Sequence, residues 1–166
     1  ERLLAPLRGR PVLAHAVDHA VAAGFAEVVV ISGAAPLDEL TLPPTVRIVH
    51  NPRWASGQAS SLQVAVTEAE RGGHDVLVVG LGDQPFVPAE AWQAVASAMG
   101  PLAVAVLEGV RTPPVKIAAE LWAELPTSGD AGARVLLQRR PDLVVPVACP
   151  GSPVDIDTAE DLAEWN

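Results

Sequence analysis

An aspartate directly after a continuous apolar run is the first side chain suited to chemistry. Asp83 follows the run that ends at Gly80, and Gln84 and Pro85 come next. A carboxylate at a strand end, held by a following proline, suits Mg²⁺, which prefers oxygen ligands and keeps several of its waters. An aspartate in this position can equally cap a turn or a helix start. The local motif therefore leaves a metal ligand and a structural cap as alternatives.

A second aspartate lies near the C-terminus, in the run Asp155-Ile156-Asp157-Thr158. If this run is extended, Asp155 and Asp157 point the same way and Ile156 faces the core. Asp157 can then cap the helix that follows. Alternatively, it faces Asp83, so that the two carboxylates share one cation, which would polarise a phosphate under attack. The spacing alone leaves both interpretations open.

The segment Asn51–Leu62 links a predicted strand to a predicted helix. It offers groups suited to a nucleotide: a tight backbone at Gly57, base-reading amides at Asn51 and Gln58, and hydroxyls at Ser60 and Ser61. Hydroxyls near a helix N-terminus lie where phosphate oxygens bind favourably. The alternative is an ordinary turn with hydroxyl caps, in which Trp54 anchors the loop in the core.

A small-residue loop, Ser128–Arg134, enters another predicted helix. Gly129 and Asp130 leave room for an acceptor phosphate at the helix start, and Arg134 can add a bidentate contact. In the alternative interpretation Asp130 caps the helix and Arg134 is a solvated side chain.

The elements that must position these residues alternate between strand and helix. Strands are predicted at 27–32, 46–49, 75–80, 102–107, 115–118 and 143–147, and helices at 11–23, 59–71, 88–98, 120–125, 131–139 and 158–165. Such alternation indicates a doubly wound, parallel α/β sheet. The Gly/Pro-bearing bend before Val115 favours antiparallel pairing of 102–107 with 115–118. We expect a single domain over residues 1–166 that lacks a first strand and the loop after it, both of which would precede residue 1.

Composition narrows the classes of partner. Twenty acidic and 11 basic residues give a formal charge of −9, and no dense Lys/Arg cluster occurs, so nucleic acid is not an expected partner. Cys149 is the single cysteine, which excludes an internal disulfide and Cys/His zinc clusters. No apolar run approaches the roughly 20 residues that cross a bilayer. We expect a cytoplasmic protein without a membrane partner.

Taken together, these motifs resemble the MobA-like molybdenum cofactor nucleotidyltransferases, and within them the cytidylyltransferases. The resemblance runs nearly end to end. It is carried by Leu3–Leu7 with Gly9–Leu13, Asn51-Pro52 through Trp54, Gly57-Gln58 with Ser60–Leu62, Gly82–Pro85, Gly129–Arg134, and Asp155–Thr158 with Glu160–Leu162.

The resemblance implies a Rossmann-like, three-layer α/β/α fold of the nucleotide-diphospho-sugar-transferase type, with one antiparallel strand. It implies transfer of CMP from CTP to molybdopterin-bound molybdenum with release of pyrophosphate. Asp83 and Asp157 resemble the catalytic ligands of Mg²⁺ or Mn²⁺. The implied nucleotide contacts are Arg2, Asn51, Gly57, Gln58, Ser60, Ser61, Gly82 and Gln84, and the implied acceptor contacts are Gly129, Asp130 and Arg134. A molybdenum hydroxylase would receive the product.

Three departures from the family pattern keep alternatives open. The family's Gly-rich loop is absent before Glu1, Arg2 replaces a lysine, and Pro113 stands where a polar residue is usual. A guanidinium is not equivalent to a compact ammonium at a crowded phosphate, and proline has no backbone donor. The alternatives are a guanylyltransferase or another NTP transferase with a different phosphorylated acceptor, and a non-catalytic protein that presents the cofactor to a hydroxylase.

Overall fold

The computed structural model describes residues 2–166, which form eight strands and five α-helices. The strands are β1 Pro6–Leu7, β2 Arg10–Pro11, β3 Val28–Ser32, β4 Val46–His50, β5 Val76–Val79, β6 Leu102–Leu107, β7 Val110–Ala118 and β8 Val144–Ala148. The helices are α1 Val12–Ala22, α2 Gln58–Arg71, α3 Ala89–Ala96, α4 Ala133–Arg139 and α5 Ala159–Trp165. Short 3-10 helices lie at Arg2–Leu4, Trp54–Ser56 and Ala119–Glu124.

The strands form a mixed but mostly parallel arrangement. β3 pairs in parallel with β4, and a separate four-stranded sheet has the order β5-β7-β6-β8. In that sheet β6 and β8 are parallel, whereas β7 runs antiparallel to both of its neighbours. The fold is therefore of the predicted α/β class, with one antiparallel strand among parallel ones.

Helices cover both faces of the four-stranded sheet. Along β6, Leu102 and Val104 pack with α2 and α4, whereas Ala103, Ala105 and Leu107 pack with α3. Alternate residues of a strand point to opposite faces, so a strand covered on both sides is apolar throughout. This explains why the uninterrupted apolar run at 102–107 predicts the bounds of β6 correctly.

The helix α2 connects the two sheets, because it packs against both β3 and β5. Its face toward the four-stranded sheet carries Leu62, Val66 and Ala69. On the opposite side, α1 packs against β3 and against α3. The helices α1 and α2 therefore link the β3–β4 pair to the rest of the fold.

The two ends of the described chain pack together. Leu7 of the β1–β2 hairpin shares a core cluster with Val12 and with Ile156, which is 1% exposed. Phe86 and Trp165 stack with their ring centroids 4.9 Å apart, and the Arg8 guanidinium lies 5.4 Å from the Phe86 ring. These contacts hold the C-terminal segment beside the turn after β5.

Most predicted elements are present, with small shifts of their ends. The strand predicted at 115–118 begins earlier, at Val110, because the chain reverses tightly at Glu108-Gly109. The helix predicted at 120–125 is a 3-10 helix over Ala119–Glu124. Within residues 2–166, no helix is both long and apolar enough to span a membrane.

Candidate active site

Asp83 and the C-terminal aspartates lie side by side. The backbone N–H of Ile156 donates to the carbonyl oxygen of Asp83 at 2.9 Å, which pairs the turn after β5 with the extended segment before α5. Ile156 is buried, while Asp155 and Asp157 on either side of it are exposed. The alternation expected for an extended segment is therefore present, and it directs both flanking carboxylates away from the core.

The pairing of these two segments brings the three carboxylates within electrostatic reach of one another. Burial, and then the charges of Asp155 and Asp157, raise the pKa of Asp83 to about 6. Burial also raises the pKa of Asp155, although a hydrogen bond from Gln84 opposes that rise. Like charges in a partly buried site disfavour ionisation unless a cation offsets them.

The residues present fit a divalent cation. Oδ1 of Asp83 is buried and has no hydrogen-bond partner within residues 2–166, which is costly for a polar atom unless a ligand completes it. The described chain contains no cluster of three or more His, Cys, Asp or Glu side chains suited to a metal. Mg²⁺ and Mn²⁺ favour oxygen ligands, and Mg²⁺ commonly uses one or two carboxylates with waters. Asp83 and Asp157 match that donor set.

A capping box fixes the segment that carries Asp157. The Thr158 hydroxyl accepts from the Asp161 N–H at 3.0 Å, and Oδ2 of Asp161 accepts from the N–H groups of Asp157 and Thr158. These backbone donors lower the pKa of Asp161. The N-cap of α5 is therefore Thr158, so the alternative in which Asp157 caps the helix is wrong.

Arg2 contacts the same segment, since its guanidinium donates to the carbonyl oxygen of Asp157. This contact places a permanent positive charge beside the carboxylates. It joins the first described residue to a position near the end of the chain.

Gln84 is buried beside this site and is 5% exposed. Its Nε2 donates to Thr112 Oγ1 at 2.9 Å, while its Oε1 has no partner in the described chain. Gly82 lies against α1, where an added Cβ would come within 2.7 Å of Leu13 Cδ1. Gly82 thus permits the close packing of the Asp83 turn on α1.

The loop after β4 is organised from within by Asn51, which is 1% exposed. Its Nδ2 donates to the hydroxyls of Ser60 and Ser61 at 2.8 and 3.0 Å, and its Oδ1 accepts from the Arg53 N–H at 2.9 Å. Ser60 also donates to the carbonyl oxygens of Arg53 and Gly57. In this structure Asn51 and Ser60 shape the loop through internal hydrogen bonds.

The two small-residue loops predicted to bind nucleotide and acceptor meet at Gly57. Gly57 has φ 111°, and an added Cβ would collide with the Gly129 carbonyl and lie 2.6 Å from Asp130 Oδ1. The Ala59 N–H donates to the Gly129 carbonyl oxygen at 3.0 Å. A Cβ added at Gly132 would likewise lie 2.8 Å from Gln58 Oε1. The two loops can therefore pack this closely only with glycine at positions 57 and 132.

The start of α4 tests the alternative interpretation in which Asp130 caps this helix. The N-cap of α4 is Gly132, which has no side chain to accept a capping hydrogen bond, so Asp130 is not the N-cap of the helix. Arg134 is exposed, and its side chain makes no hydrogen bond or ion pair to any of residues 2–166. Its guanidinium is therefore available to a ligand.

The structure thus gathers the predicted residues into two groups. One contains Arg2, Gly82, Asp83, Gln84 and Asp157; the other contains Asn51, Gly57, Gln58, Ser60, Ser61, Gly129 and Asp130, with Arg134 on the helix that follows. No hydrogen bond within the described residues joins the two groups.

Sequence reasoning missed three residues at these places. Asp155 contributes charge beside Asp83, and its position two residues before Asp157 was the available signal. Thr112 holds Gln84, a contact between distant segments for which the sequence offers no signal. Trp54 is 47% exposed, so the alternative in which it anchors the loop in the core is wrong.

Two cavities flank the loop after β4, and neither is lined by Asp83 or Asp157. One, of about 630 Å³, lies between the loop after β3, the end of β4 and Trp54. The other, of about 520 Å³, lies along α2 and is lined by Asn51, Arg53, Ser60 and Arg71 among others.

Comparison with known proteins identifies the family. Residues 1–144 match the MobA-like NTP transferase domain. The chain is 32% identical to nicotine blue oxidoreductase from Paenarthrobacter nicotinovorans, in an alignment that covers 97% of this chain and 85% of that protein. It is 39% identical over 100 residues to 3-deoxy-manno-octulosonate cytidylyltransferase from Methylococcus capsulatus, covering 58% of this chain and 38% of that protein.

A solved structure shows the same fold. Rv0371C from Mycobacterium tuberculosis H37Rv, in complex with manganese, superposes with a TM-score of 0.83 at 25% identity, covering 99% of this chain and 90% of that one. These similarities favour an enzyme over a non-catalytic cofactor carrier. The chain belongs to the MobA-like NTP transferase family and is an enzyme of the nucleotidyltransferase class.

Proposed function

We propose that the protein transfers CMP from CTP to a phosphorylated pterin-type acceptor, the molybdenum-bearing molybdopterin, with a divalent cation as cofactor. The observation that carries this proposal is the partnerless, buried Oδ1 of Asp83 beside the carboxylates of the C-terminal segment. A set of oxygen donors with excess negative charge suits a cation that accompanies a triphosphate. The cytidylylated product would pass to a molybdenum hydroxylase.

The proposed reaction needs no protein nucleophile. An oxygen of the acceptor phosphate attacks the α-phosphorus of CTP and forms a new P–O bond. The bond from the α-phosphorus to the bridging oxygen of the β-phosphate breaks, and pyrophosphate leaves with the electron pair. Such transfers depend mainly on positioning and charge neutralisation.

Asp83 and Asp157 would hold Mg²⁺ or Mn²⁺. The cation, when bound, would neutralise phosphate charge and polarise the α-phosphate. Gln84 supports this end of the site, because its Nε2 donates to Thr112 Oγ1 and so holds the turn that carries Asp83. The Arg2 guanidinium donates to the Asp157 carbonyl oxygen. When a nucleotide is bound, it would donate to a phosphate oxygen instead, because a charged acceptor forms the stronger hydrogen bond.

The second group of residues would orient the substrates. Gln58 and Ser61 lie in the first turn of α2, where backbone N–H groups favour anions. The start of this helix packs against Gly129, since Gly57 leaves room and the Ala59 N–H donates to the Gly129 carbonyl oxygen. The hydrogen bond from Asn51 to Ser60 stabilises the same loop. Arg134 has the free guanidinium needed to bind an acceptor phosphate.

The test is pyrophosphate release from CTP, GTP or ATP with molybdopterin as the acceptor. We expect release with CTP that depends on the acceptor and the cation, and a loss of at least about 100-fold in Asp83→Ala. Asp142→Asn is the control, because that carboxylate is exposed and pairs with Arg140. Full activity of Asp83→Ala would refute the proposed site, and preference for GTP would refute the base assignment.

A second candidate function follows from the relative whose name denotes an oxidoreductase. That relative spans 97% of this chain at 32% identity. The same domain would then bind a nicotinamide cofactor as the hydride donor and nicotine blue as the acceptor. Oxidation of NADH or NADPH with nicotine blue, in the absence of any pyrophosphate release from the three triphosphates, would favour this function over transfer.

A further inference from the structure

The strand β4 has a free edge. Within residues 2–166 it pairs only with β3, and the Asn51 N–H that follows it donates to the Ser32 carbonyl oxygen at 2.8 Å. Successive residues of a strand direct their backbone groups to opposite sides, so the N–H and carbonyl groups of Ile48 and His50 point away from β3. Another extended chain can add to such an edge through backbone hydrogen bonds.

The sequence of β4 does not block this edge. Natural sheets commonly protect an edge strand with proline, a bulge or a charged side chain. β8, which ends the four-stranded sheet, has Pro146 at its centre. By contrast, β4 pairs with β3 in a regular register, its central residue Ile48 is 42% exposed, and its Arg47 side chain is engaged by Glu68. An exposed apolar residue on an unblocked edge favours pairing with another chain.

The cavity of about 520 Å³ lies on the side of β4 that faces α2. Val49 of β4 and the segment Asn51–Arg53 form one wall, and the outward side of α2 forms the floor, with Val64 among its residues from Ser60 to Arg71. Between those two residues the helix rises about 16 Å, at 1.5 Å per residue. Five residues of extended chain span about the same length. The cavity therefore matches the length of a short strand added along β4.

The charges of this cavity favour an acidic segment. Its lining contains Arg53 and Arg71 and a single carboxylate, Glu68. Glu68 is buried and accepts from Arg47 at 3.0 Å and pairs with Arg71 at 3.2 Å, so its charge is already compensated. At the other end, the Arg53 side chain makes no hydrogen bond or ion pair to any of residues 2–166. In a chain with a formal charge of −9, an exposed arginine at each end of the cavity selects a negatively charged partner.

We propose that this cavity and the free edge of β4 form a docking groove for an extended, acidic segment of a partner protein. The segment adds to β4 as a further strand, and its backbone pairs with Ile48 and His50. Its apolar side chains contact Val49, and its carboxylates pair with Arg53 and Arg71. The docking is separate from the proposed transfer, because it uses neither of the carboxylates assigned to the cation.

Fluorescence anisotropy with a synthetic peptide tests the groove. The probe is a labelled peptide, blocked at both ends, of sequence Ser-Glu-Thr-Val-Thr-Glu-Ser, whose two carboxylates share one face of a strand about 13 Å apart. We expect saturable binding to the wild type below about 1 mM, and losses of about tenfold or more in Arg53→Glu and in Arg71→Glu. Arg139→Glu, which changes an exposed arginine of α4 outside the cavity, should bind the probe as the wild type does.

Methylation of the peptide backbone separates strand addition from charge attraction. Two further peptides carry N-methyl groups on alternate sets of residues, so that only one of them loses the donors that face β4. We expect that peptide to bind at least about tenfold more weakly, and the other to bind as the unmethylated probe does. Because the change is in the peptide, this comparison does not depend on the folding of a variant.

Four results would overturn the proposal. They are no saturable binding of the probe, equal binding of the two methylated peptides, equal binding of a peptide with lysine in place of glutamate, and displacement of the probe by CTP with MgCl₂. A wild-type dimer that Arg53→Glu dissociates in sedimentation velocity would also overturn it, by assigning the edge to a second copy of the chain. Thermal melting checks that Arg71→Glu is folded, and Arg71→Gln serves if it is not.

The outcome for the groove is independent of the outcome for transfer. Asp83→Ala should bind the probe as the wild type does, because Asp83 does not line the cavity. Arginine-dependent probe binding by a protein that releases no pyrophosphate would uphold the groove while refuting the proposed transfer. Acceptor-dependent pyrophosphate release without probe binding would do the reverse.

Discussion

Asp83 combines partial burial with two neighbouring carboxylates, an arrangement that favours its protonated form unless a cation is bound. Its pKa of about 6 lies above the value of about 3.9 of an unfolded aspartate. The folded state without a cation therefore binds a proton more tightly than the unfolded state does. Its stability should fall as the pH rises from about 4 to about 6, and the penalty persists above that range.

Replacing Asp83 by Asn should relieve this penalty. We expect Asp83→Asn to melt at a higher temperature than the wild type at about pH 7.5 without a cation, because the amide carries no charge to desolvate. Added MgCl₂ should raise the melting temperature of the wild type but not of the variant. A variant that melts lower than the wild type without a cation would contradict this account of Asp83.

Cation binding should depend on pH through the same group. Because a carboxyl must lose its proton to ligate a metal, affinity for Mn²⁺ should be roughly constant above about pH 7 and fall as the pH drops through about 6. Isothermal titration calorimetry across this range measures the midpoint. Affinity that does not change between about pH 5 and 8 would exclude Asp83 as a ligand.

The sequence predicts where Asp83 and Asp157 lie along the chain better than it predicts the contacts between distant segments around them. Asp83 follows a buried strand and Asp157 alternates with buried Ile156, so both positions follow from local pattern. The contact between Gln84 and Thr112 depends on the packing of distant segments, which no local pattern encodes. Trp54 was expected in the core under the structural alternative, yet it is 47% exposed, because an aromatic residue type does not by itself determine burial.

At the level of elements, Gly57 determines whether the start of α2 can approach the loop before α4. Gly57→Ala should lower the free energy of unfolding by about 1–3 kcal/mol, because it adds a collision with Gly129 to a strained φ. It should also reduce transfer. Gly73→Ala is the matched control, since Gly73 has φ 72° but nothing within 4 Å of its added Cβ.

Denaturant unfolding and pyrophosphate release measure the two effects of Gly57→Ala. The control should lose about 1–2 kcal/mol from backbone strain and keep its activity. If Gly57→Ala transfers CMP as fast as Gly73→Ala does, the contact between the two loops is not part of the active site.

A strand is predictable from local sequence where both of its faces are buried. β6 is covered on both faces and its apolar run has the strand's own bounds. The first half of β7 was missed because its residues include Arg111, Thr112 and two prolines, which resemble a loop by composition. Pairing with β6 along the hairpin overrides that local preference.

For the molecule as a whole, the two ends of the described chain hold the C-terminal aspartates in place. Trp165 stacks on Phe86, and Arg8 Nε donates to the Trp165 carbonyl oxygen at 3.0 Å. The helix α5, and with it the segment before it, is therefore anchored to the turn that carries Asp83. Contacts between segments this far apart in the chain cannot be inferred from local sequence.

Removing this anchor should weaken cation binding from a distance. Trp165→Ala should lower the free energy of unfolding by about 2 kcal/mol and the Mn²⁺ affinity by about tenfold, because Asp157 loses its fixed position. Glu164→Ala changes an exposed residue of the same helix and should do neither. Unchanged Mn²⁺ affinity in Trp165→Ala would show that α5 does not position the site.

The most direct test of the shared cation is calorimetric titration of Mn²⁺ into the wild type, Asp83→Asn, Asp157→Asn and the control Asp142→Asn. We expect one Mn²⁺ per chain in the wild type and the control, and a loss of about 100-fold or more in each of the other two variants. Wild-type affinity in either Asp83→Asn or Asp157→Asn, or no binding to the wild type, would contradict the claim that these two carboxylates hold one divalent cation.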